Sequence, residues 1–509
     1  MRASKFLGAL FLYLLFFYLS PFYFNFACCA FDVQLFVKFI HLKLYNMFAK
    51  DIYIGRRAKL MESVEKGIIL LLGNSEASCN YPSNTYKFRQ DSSFLYFFGL
   101  NLPDMAAIID VESGEEVLFG NDVDIDDIIW MGPQVSVAEK AQSVGVEKSA
   151  PMADLQGYVA KAIAAGRKVH FLPPYRNYNK ILLNSLLNIP IANLKAEASA
   201  ELIKAVVDQR IIKDQYELAE IDHACNIGYE MHYAAMKHVK LGLVEQQVYG
   251  IMEGIAASKG SMASFPIILS QNGETLHNHN HHQILTEGRM LVIDAGAETN
   301  MNYCSDFTRT LPSSGKFTQQ QKEIYQIVAA ANNQAVDMSR PGITYKEVHL
   351  AACRTVAQGL NSLGILKGDV DEAVAAGAHA LFMPHGLGHN MGLDVHDMED
   401  LGENNVGYDN TIQRSTQFGL ASLRMARELK PGHVITVEPG IYFIPALIDK
   451  WQAEGINTEF VNFDALQNYR TFGGIRLEDD IVITENGCRL LGDKRLPITV
   501  EDVEREMEA

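Results

Sequence analysis

Acidic residues that close apolar runs dominate the chemistry open to this chain. In Leu291-Val-Ile-Asp294-Ala-Gly an acid follows a continuous apolar stretch, which places it at the end of a buried strand. Asp306 comes 12 positions later in Tyr303-Cys-Ser-Asp306-Phe-Thr-Arg-Thr, where alternation puts side chains 304, 306, 308 and 310 on one face. The polar stretch Glu298-Thr-Asn-Met-Asn302 predicts a hairpin folding about residue 300, with Asp294 and Asp306 opposite each other. Glu438 ends the run Ile435-Thr-Val and is held extended by Pro439. In Ile475-Arg-Leu-Glu478, alternation points Arg476 and Glu478 the same way. One such acid alone reads as a solvated strand end; four in similar settings do not.

Histidine completes the set. Met383-Pro-His385-Gly-Leu-Gly-His389-Asn-Met-Gly-Leu-Asp-Val-His396-Asp carries three imidazoles in twelve residues, among glycines that let backbones approach closely. Adjacent ionised carboxylates repel, so burying them together requires a proton or a cation. Four carboxylates and one imidazole make a hard, oxygen-rich site for two divalent ions, which suits Mn²⁺ or Co²⁺ better than a thiolate-loving metal. A water bridging two such ions would ionise near neutral pH and serve as a hydrolytic nucleophile. Other machinery is missing: there is no H-E-x-x-H helix, no G-x-x-x-x-G-K-[ST] phosphate loop and no G-x-S-x-G elbow. Gly392 falls one residue too late after Gly386 and Gly388 for a dinucleotide loop.

The elements that must carry these residues can be read from periodicity. Residues 67 to 72 form a short apolar strand, and Met105 to Asp110 with Glu116 to Phe119 reads as a hairpin around Glu112-Ser-Gly-Glu. Ala153 to Ala165 has helical spacing, and His170-Phe-Leu-Pro-Pro ends the next strand. The stretch Ala200 to Val239 reads as one long helical run. Capping boxes at Thr318 with Gln321 and at Thr344 with Glu347 open two further helices, and Arg340-Pro-Gly closes the first of them. Strands are expected over Met290 to Ala295, Asn302 to Thr310, Val434 to Glu438 and Gly474 to Thr484. Strands and helices are grouped rather than alternating, so the fold class is α+β: an α/β amino-terminal domain over 47–205, then a larger domain over 206–509.

Composition bounds the reading. The 509 residues are 48% hydrophobic and 21% charged, an ordinary folded balance that excludes disorder. The net charge of −17 argues against a nucleic-acid backbone binder. Seven cysteines, an odd number with no C-x-x-C pair, are no disulfide framework and point to reduced thiols in a cytoplasmic setting. Residues 1–46 stand apart. Arg2 and Lys5 precede an apolar run from Phe6 to Leu19 shaped like a signal peptide or short anchor, which alone would give the chain an exported or membrane-bound life. Ordinary soluble sequence begins at Met47, and a start there is the favoured reading.

In these motifs the chain closely resembles the pita-bread metallopeptidase family of methionine aminopeptidase, aminopeptidase P and prolidase. The resemblance runs from about residue 50 onward. It rests on Asp294-Ala-Gly296, Ser305-Asp306-Phe-Thr308-Arg309, the block from His385 to Asp397, Thr436-Val-Glu438-Pro-Gly440 and Gly474-Ile-Arg476-Leu-Glu478-Asp-Asp480. The usual family spacing between the two aspartates is one residue shorter. The resemblance implies that Asp294, Asp306, His389, Glu438 and Glu478 are the ligands of two metal ions, with Mn²⁺ favoured over Co²⁺ or Zn²⁺. It implies substrate-side roles for His277, His385 and His396, an orienting role for Arg476, and proton transfer through Glu438. His279, His281 and His282 have no counterpart and read as a solvated loop. The amino-terminal domain excludes methionine aminopeptidase, and creatinase lacks the metal set. That leaves exopeptidases acting on peptides with proline in second position. Tyr86 to Gly99 resembles their amino-terminal domain.

Gly419-Leu-Ala-Ser-Leu-Arg424-Met-Ala-Arg427 and the insert from Tyr442 to Gly474 resemble prolidase of the human type, which implies that Arg424 clamps a dipeptide's free carboxylate. Without the resemblance, Arg424 and Arg427 are equally well solvated helix residues. Trp130 matches an aromatic loop residue that reaches a neighbouring subunit, which implies a homodimer. The competing reading is a non-catalytic binding protein on the same scaffold; such relatives usually lose a ligand, and all five stand here.

Overall fold

The computed structural model describes residues 48–508; the apolar segment 1–46 and the question of a start at Met47 lie outside the described residues. Among the described residues, no helix is long and apolar enough to cross a membrane.

The strands, in chain order, are β1 (Ile68–Leu72), β2 (Ser78–Tyr81), β3 (Asn84–Thr85), β4 (Ala106–Asp110), β5 (Glu116–Phe119), β6 (Lys148–Ala150), β7 (Val169–His170), β8 (Ile268–Ser270), β9 (Met290–Ala295), β10 (Phe307–Pro312), β11 (Val434–Val437), β12 (Gly440–Tyr442), β13 (Gly474–Arg476), β14 (Asp479–Ile483) and β15 (Cys488–Leu490). The amino-terminal sheet has the order β6-β5-β4-β1-β7 and mixes parallel and antiparallel pairs. Its central strands β1, β4 and β5 are buried on both faces. Ile68, Leu70, Ile108 and Phe119 pack against the helices Leu155–Ala164 and Asn177–Leu187, whereas Ile69, Leu71, Ile109 and Leu118 point to a second core. That second core also holds Tyr303, Phe307, Met391 and Val434, so a face of the amino-terminal sheet is welded to the carboxyl-terminal half.

The expected helical run from 200 to 239 is two helices, Ala200–Arg210 and Gln215–His238. The break has a cause. Lys213 turns inward to pair with Asp397 at 2.7 Å, and its backbone N–H donates to Gly432 O. Asp214 then caps the second helix in a capping box with Glu217. The two capping boxes read from the sequence do open the helices Gln319–Met338 and Tyr345–Ser362. A large core of helices and strands buries Ile293, Leu291, Ile435, Val437 and Ile475 beneath the site.

Two other strand expectations are corrected. The second aspartate strand starts at Phe307 rather than Asn302, because residues 299–303 turn tightly with Asn302 at φ 64°. The expected strand 474–484 is divided: β13 pairs with β12, and β14 pairs with β11 in another sheet. Glu478 sits in the break between them.

Candidate metal centre

The register of β9 and β10 pairs Asp294 with Thr308, not with Asp306. The pairing continues through the bridge Glu298 to Cys304, so the hairpin is centred on residue 301 instead of 300. Asp306 is therefore the diagonal neighbour of Asp294 on the same face, opposite Gly296. A Cβ on Gly296 would fall 1.7 Å from Ser305 O, which is why glycine stands there.

Glu438 follows β11 and Glu478 the kink after β13, so both enter from the neighbouring sheets. His389 arrives on the glycine-rich segment, and Gly388 lets that segment pass within 2.0 Å of Thr436 O, measured from where a Cβ would lie. The ten residues singled out above, His277, Asp294, Asp306, His385, His389, His396, Arg424, Glu438, Arg476 and Glu478, all line one cavity of about 670 Å³. Ligating atoms of Asp306, His389 and Glu478 lie within 4.8 Å of one another. His389 Nδ1 donates to Asn390 O at 3.1 Å, leaving Nε2 to face Asp306 Oδ2 at 3.4 Å and Glu438 Oε1 at 3.8 Å. That bond selects the tautomer a metal ligand needs.

Electrostatics point the same way. Burial, then the crowding of Glu478, Asp294, Asp480 and Glu438, pushes Asp306 well above the ordinary carboxylate range. Burial and the neighbouring carboxylates do the same to Glu478, and burial lifts Glu438 to about 8. Burial holds the His389 imidazole neutral, well below its usual value. Oδ1 of Asp294 and Oδ1 of Asp306 are buried without a hydrogen-bond partner. Orphaned carboxylate oxygens around a neutral imidazole are the donors a divalent cation satisfies, so the residues fit metal ions.

Two residues that the sequence reading passed over tie this cage together. Thr308 Oγ1 donates to Glu478 Oε2 at 2.7 Å and accepts from Arg476 Nε at 3.1 Å. Tyr442 OH accepts from Arg476 at 2.8 Å and lies 3.1 Å from His385 Nε2. Arg476 completes its contacts by donating to Asp294 Oδ2 at 2.5 Å. Thr308 shares the face of Asp306 by alternation, so its position was readable; Tyr442 comes from a strand that only the fold places beside β13.

Several expectations change. His281 is not solvated: it is buried, stacked on Tyr249 at 4.7 Å, with Nδ1 bonded to Leu269 O, while His279 and His282 are exposed. Arg424 and Arg427 lie outside any helix. Arg424 pairs with Glu399 at 2.7 Å and Glu403 at 2.9 Å. His396, which lines the cavity, contacts Glu399 Oε2 through Nδ1 at 2.6 Å. Trp130 is on a short helix, Ile125–Met131, and is 86% exposed.

A cage of carboxylates with one imidazole, buried at the meeting of three small sheets, defines a metal-dependent hydrolase. The known proteins this chain matches agree. Residues 219–485 match metallopeptidase family M24, and residues 53–170 match the aminopeptidase P amino-terminal domain. Human Xaa-Pro dipeptidase is 33% identical over 463 residues, covering 88% of this chain and 90% of its own. A probable Xaa-Pro aminopeptidase of Aspergillus clavatus is 31% identical over 468 residues, covering 89% and 95%. Among solved structures, Pseudomonas aeruginosa aminopeptidase PepP superposes with a TM-score of 0.74 at 29% identity, over 91% of this chain and 98% of that one. Zinc-substituted Escherichia coli aminopeptidase P in complex with product gives a TM-score of 0.74 at 30% identity, with the same coverage. The chain belongs to metallopeptidase family M24, and its two-part fold is that of the aminopeptidase P structures.

Proposed function

We propose that this hydrolase cleaves the bond between an amino-terminal residue and a following proline, as an Xaa-Pro dipeptidase or aminopeptidase. The observation that carries the reading is the convergence of all ten motif residues on one cavity, beside relatives named for that activity. Asp294, Asp306, His389, Glu438 and Glu478 would hold two divalent ions, with Mn²⁺ favoured by the oxygen-rich set. When bound, such ions supply Lewis acidity that activates water and polarises a carbonyl.

The chain's own residues do the rest. Glu438 carries a proton on its carboxylate toward the leaving proline nitrogen. Arg476 fixes the Asp294 carboxylate, and Thr308 fixes that of Glu478. His396, braced by Glu399, presents Nε2 to the substrate, with His277 at the rim and His385 held by Tyr442 and Gly386 O. Arg424, which lines the same cavity, would bind the free carboxylate of a dipeptide. Residues 47–205 form the module that braces this site, and 206–509 the catalytic unit.

The exposed Ile125, Ile129, Trp130 and Met131 form an apolar patch that suits a homodimer contact. Five described cysteines, Cys79, Cys225, Cys304, Cys353 and Cys488, are all free thiols, in keeping with a cytoplasmic setting.

Hydrolysis of Gly-Pro beside a longer Gly-Pro-x-x peptide tests the proposal, with Mn²⁺ present and after chelation. Metal-dependent release of glycine from either peptide is expected. No release from either with metal present would sink the reading and leave a non-catalytic binding scaffold.

A further inference from the structure

Away from the catalytic cavity, three ligating side chains meet in the core. His349 and Cys353 stand one turn apart on the helix Tyr345–Ser362, and His379 lies on the short 3₁₀ turn Ala378–Leu381. His349 Nε2 is 3.5 Å from Cys353 Sγ, and one ligating atom from each residue lies within 4.8 Å of the other two. The three are sealed from solvent, at 1%, 0% and 2% exposure for His349, Cys353 and His379.

His379 supplies the independent observation. Neither of its ring nitrogens has a hydrogen-bond partner. Leaving a buried polar group unpaired costs about 1–3 kcal/mol, so an imidazole with both nitrogens idle is a group waiting for a ligand. Burial holds His349 at about 3 and His379 at about 4, so both imidazoles are neutral, with His349 Nε2 in hydrogen-bond contact with Cys353 Sγ, and burial pushes the Cys353 thiol well up. Among the described residues, no carboxylate shifts any of the three, and Lys346 is the charged side chain that acts on His349.

We propose that His349, Cys353 and His379 bind one soft monovalent cation, Cu⁺, through a thiolate and two neutral imidazoles. On binding, the Cys353 S–H bond breaks, its proton leaves to solvent and an S–Cu bond forms. Thiolate and Cu⁺ cancel, so the occupied site is neutral, as an apolar interior demands. A dication would leave a net positive charge with no acid to balance it, and three ligands fall one short of the four that Zn²⁺ takes in closed sites. Metal–sulfur and metal–nitrogen bonds of about 2.0–2.3 Å set neighbouring ligand atoms roughly 3.5–3.8 Å apart, which the His349–Cys353 pair already meets. The bound ion would clip the helix to the segment running from His379 through Met383 and Pro384 into His385.

The test uses the full chain with its catalytic metals in place. Cu⁺ is delivered without oxygen against a competing Cu⁺ chelator, and copper per chain is counted after desalting. One retained equivalent is expected, with an X-ray absorption spectrum showing one sulfur and two nitrogen neighbours. Cys353→Ala and His379→Phe should each lose that equivalent, and the rise in Tm that copper gives the parent chain should vanish in both. Because the spectrum is taken on the unmodified chain, it decides the question even where a variant fails to fold. No retained copper, a spectrum lacking sulfur, or retention of Zn²⁺ instead would overturn the proposal.

Discussion

Arg89 and Glu298 meet at 2.8 Å across 209 positions of sequence. Arg89 comes from the amino-terminal module, and Glu298 opens the turn between the two cage aspartates. The same guanidinium donates to Leu393 O, one residue before the Asp394 side chain that Ser92 contacts at 2.5 Å. Arg210 and Lys213 reach that segment too, each pairing with buried Asp397 at 2.7 Å. Burial works to raise Asp397, but Lys213 and Arg210 outweigh it and keep the carboxylate charged. Through Arg89 and Ser92 the amino-terminal module thus grips both loops that carry the cage.

Breaking this grip should reach the chemistry. Arg89→Met leaves Glu298 buried and unpaired, a loss of about 3–5 kcal/mol by analogy with other broken buried pairs. Thermal unfolding should show a lower Tm, and kcat should fall even though Arg89 touches no substrate. Unchanged kcat in a folded variant would confine Arg89 to stability.

Glu438→Gln keeps the shape of the side chain and removes its ability to carry a proton. The turnover number should drop by about 10²–10⁴-fold, with Tm close to that of the parent chain. Near-normal turnover would remove Glu438 from the proton path.

Arg424 is already paired with two carboxylates, so a substrate carboxylate must compete with Glu399 and Glu403. Arg424→Met should raise KM for Gly-Pro by roughly 10–100-fold, the worth of a charge-assisted pair. KM for Gly-Pro-x-x should hardly move. Equal effects on both peptides would make Arg424 a brace for the His396 loop and not a clamp.

Buried His433 accepts the Lys430 backbone N–H on Nδ1, and burial with Arg427, Lys213 and Lys430 nearby holds it at about 3. Its unfolded-state value is about 6.5. The unfolded chain therefore binds the extra proton first, so stability falls as pH drops from 6.5 toward 3. At pH 5 the contribution lost is about 2 kcal/mol. Urea unfolding at pH 7 and pH 5 should show this loss, and His433→Gln, which keeps an acceptor, should shrink it.

Much of this architecture was legible in local patterns. An apolar run ending in an acid identified Asp294 and Glu438, strand alternation identified Asp306 and Glu478, and capping boxes located Gln319–Met338 and Tyr345–Ser362 because such boxes act within four residues. Register was not legible. Whether the hairpin turns about 300 or 301 depends on Asn302 adopting a left-handed conformation, and alternation is blind to a two-residue change in pairing. The helix break at 211–214 was hidden for a related reason: Lys213 leaves the helix for Asp397, a partner 184 residues away. Burial of His281 likewise needs Tyr249, whose place only the tertiary fold supplies.

The insert between β12 and β13 is closed at its base, where Tyr442 pairs with Gly474 and Gly440 with Arg476. It also contributes Ile448, Trp451 and Leu466 to the main core. Trimming it for a smaller enzyme would therefore hollow the interior as well as loosen Arg476. Its outer end, Gln452 to Gly455, is exposed and makes no such contribution. A fluorescent tag or affinity peptide grafted at that tip would be insulated from the metal cage by the strand clasp beneath it.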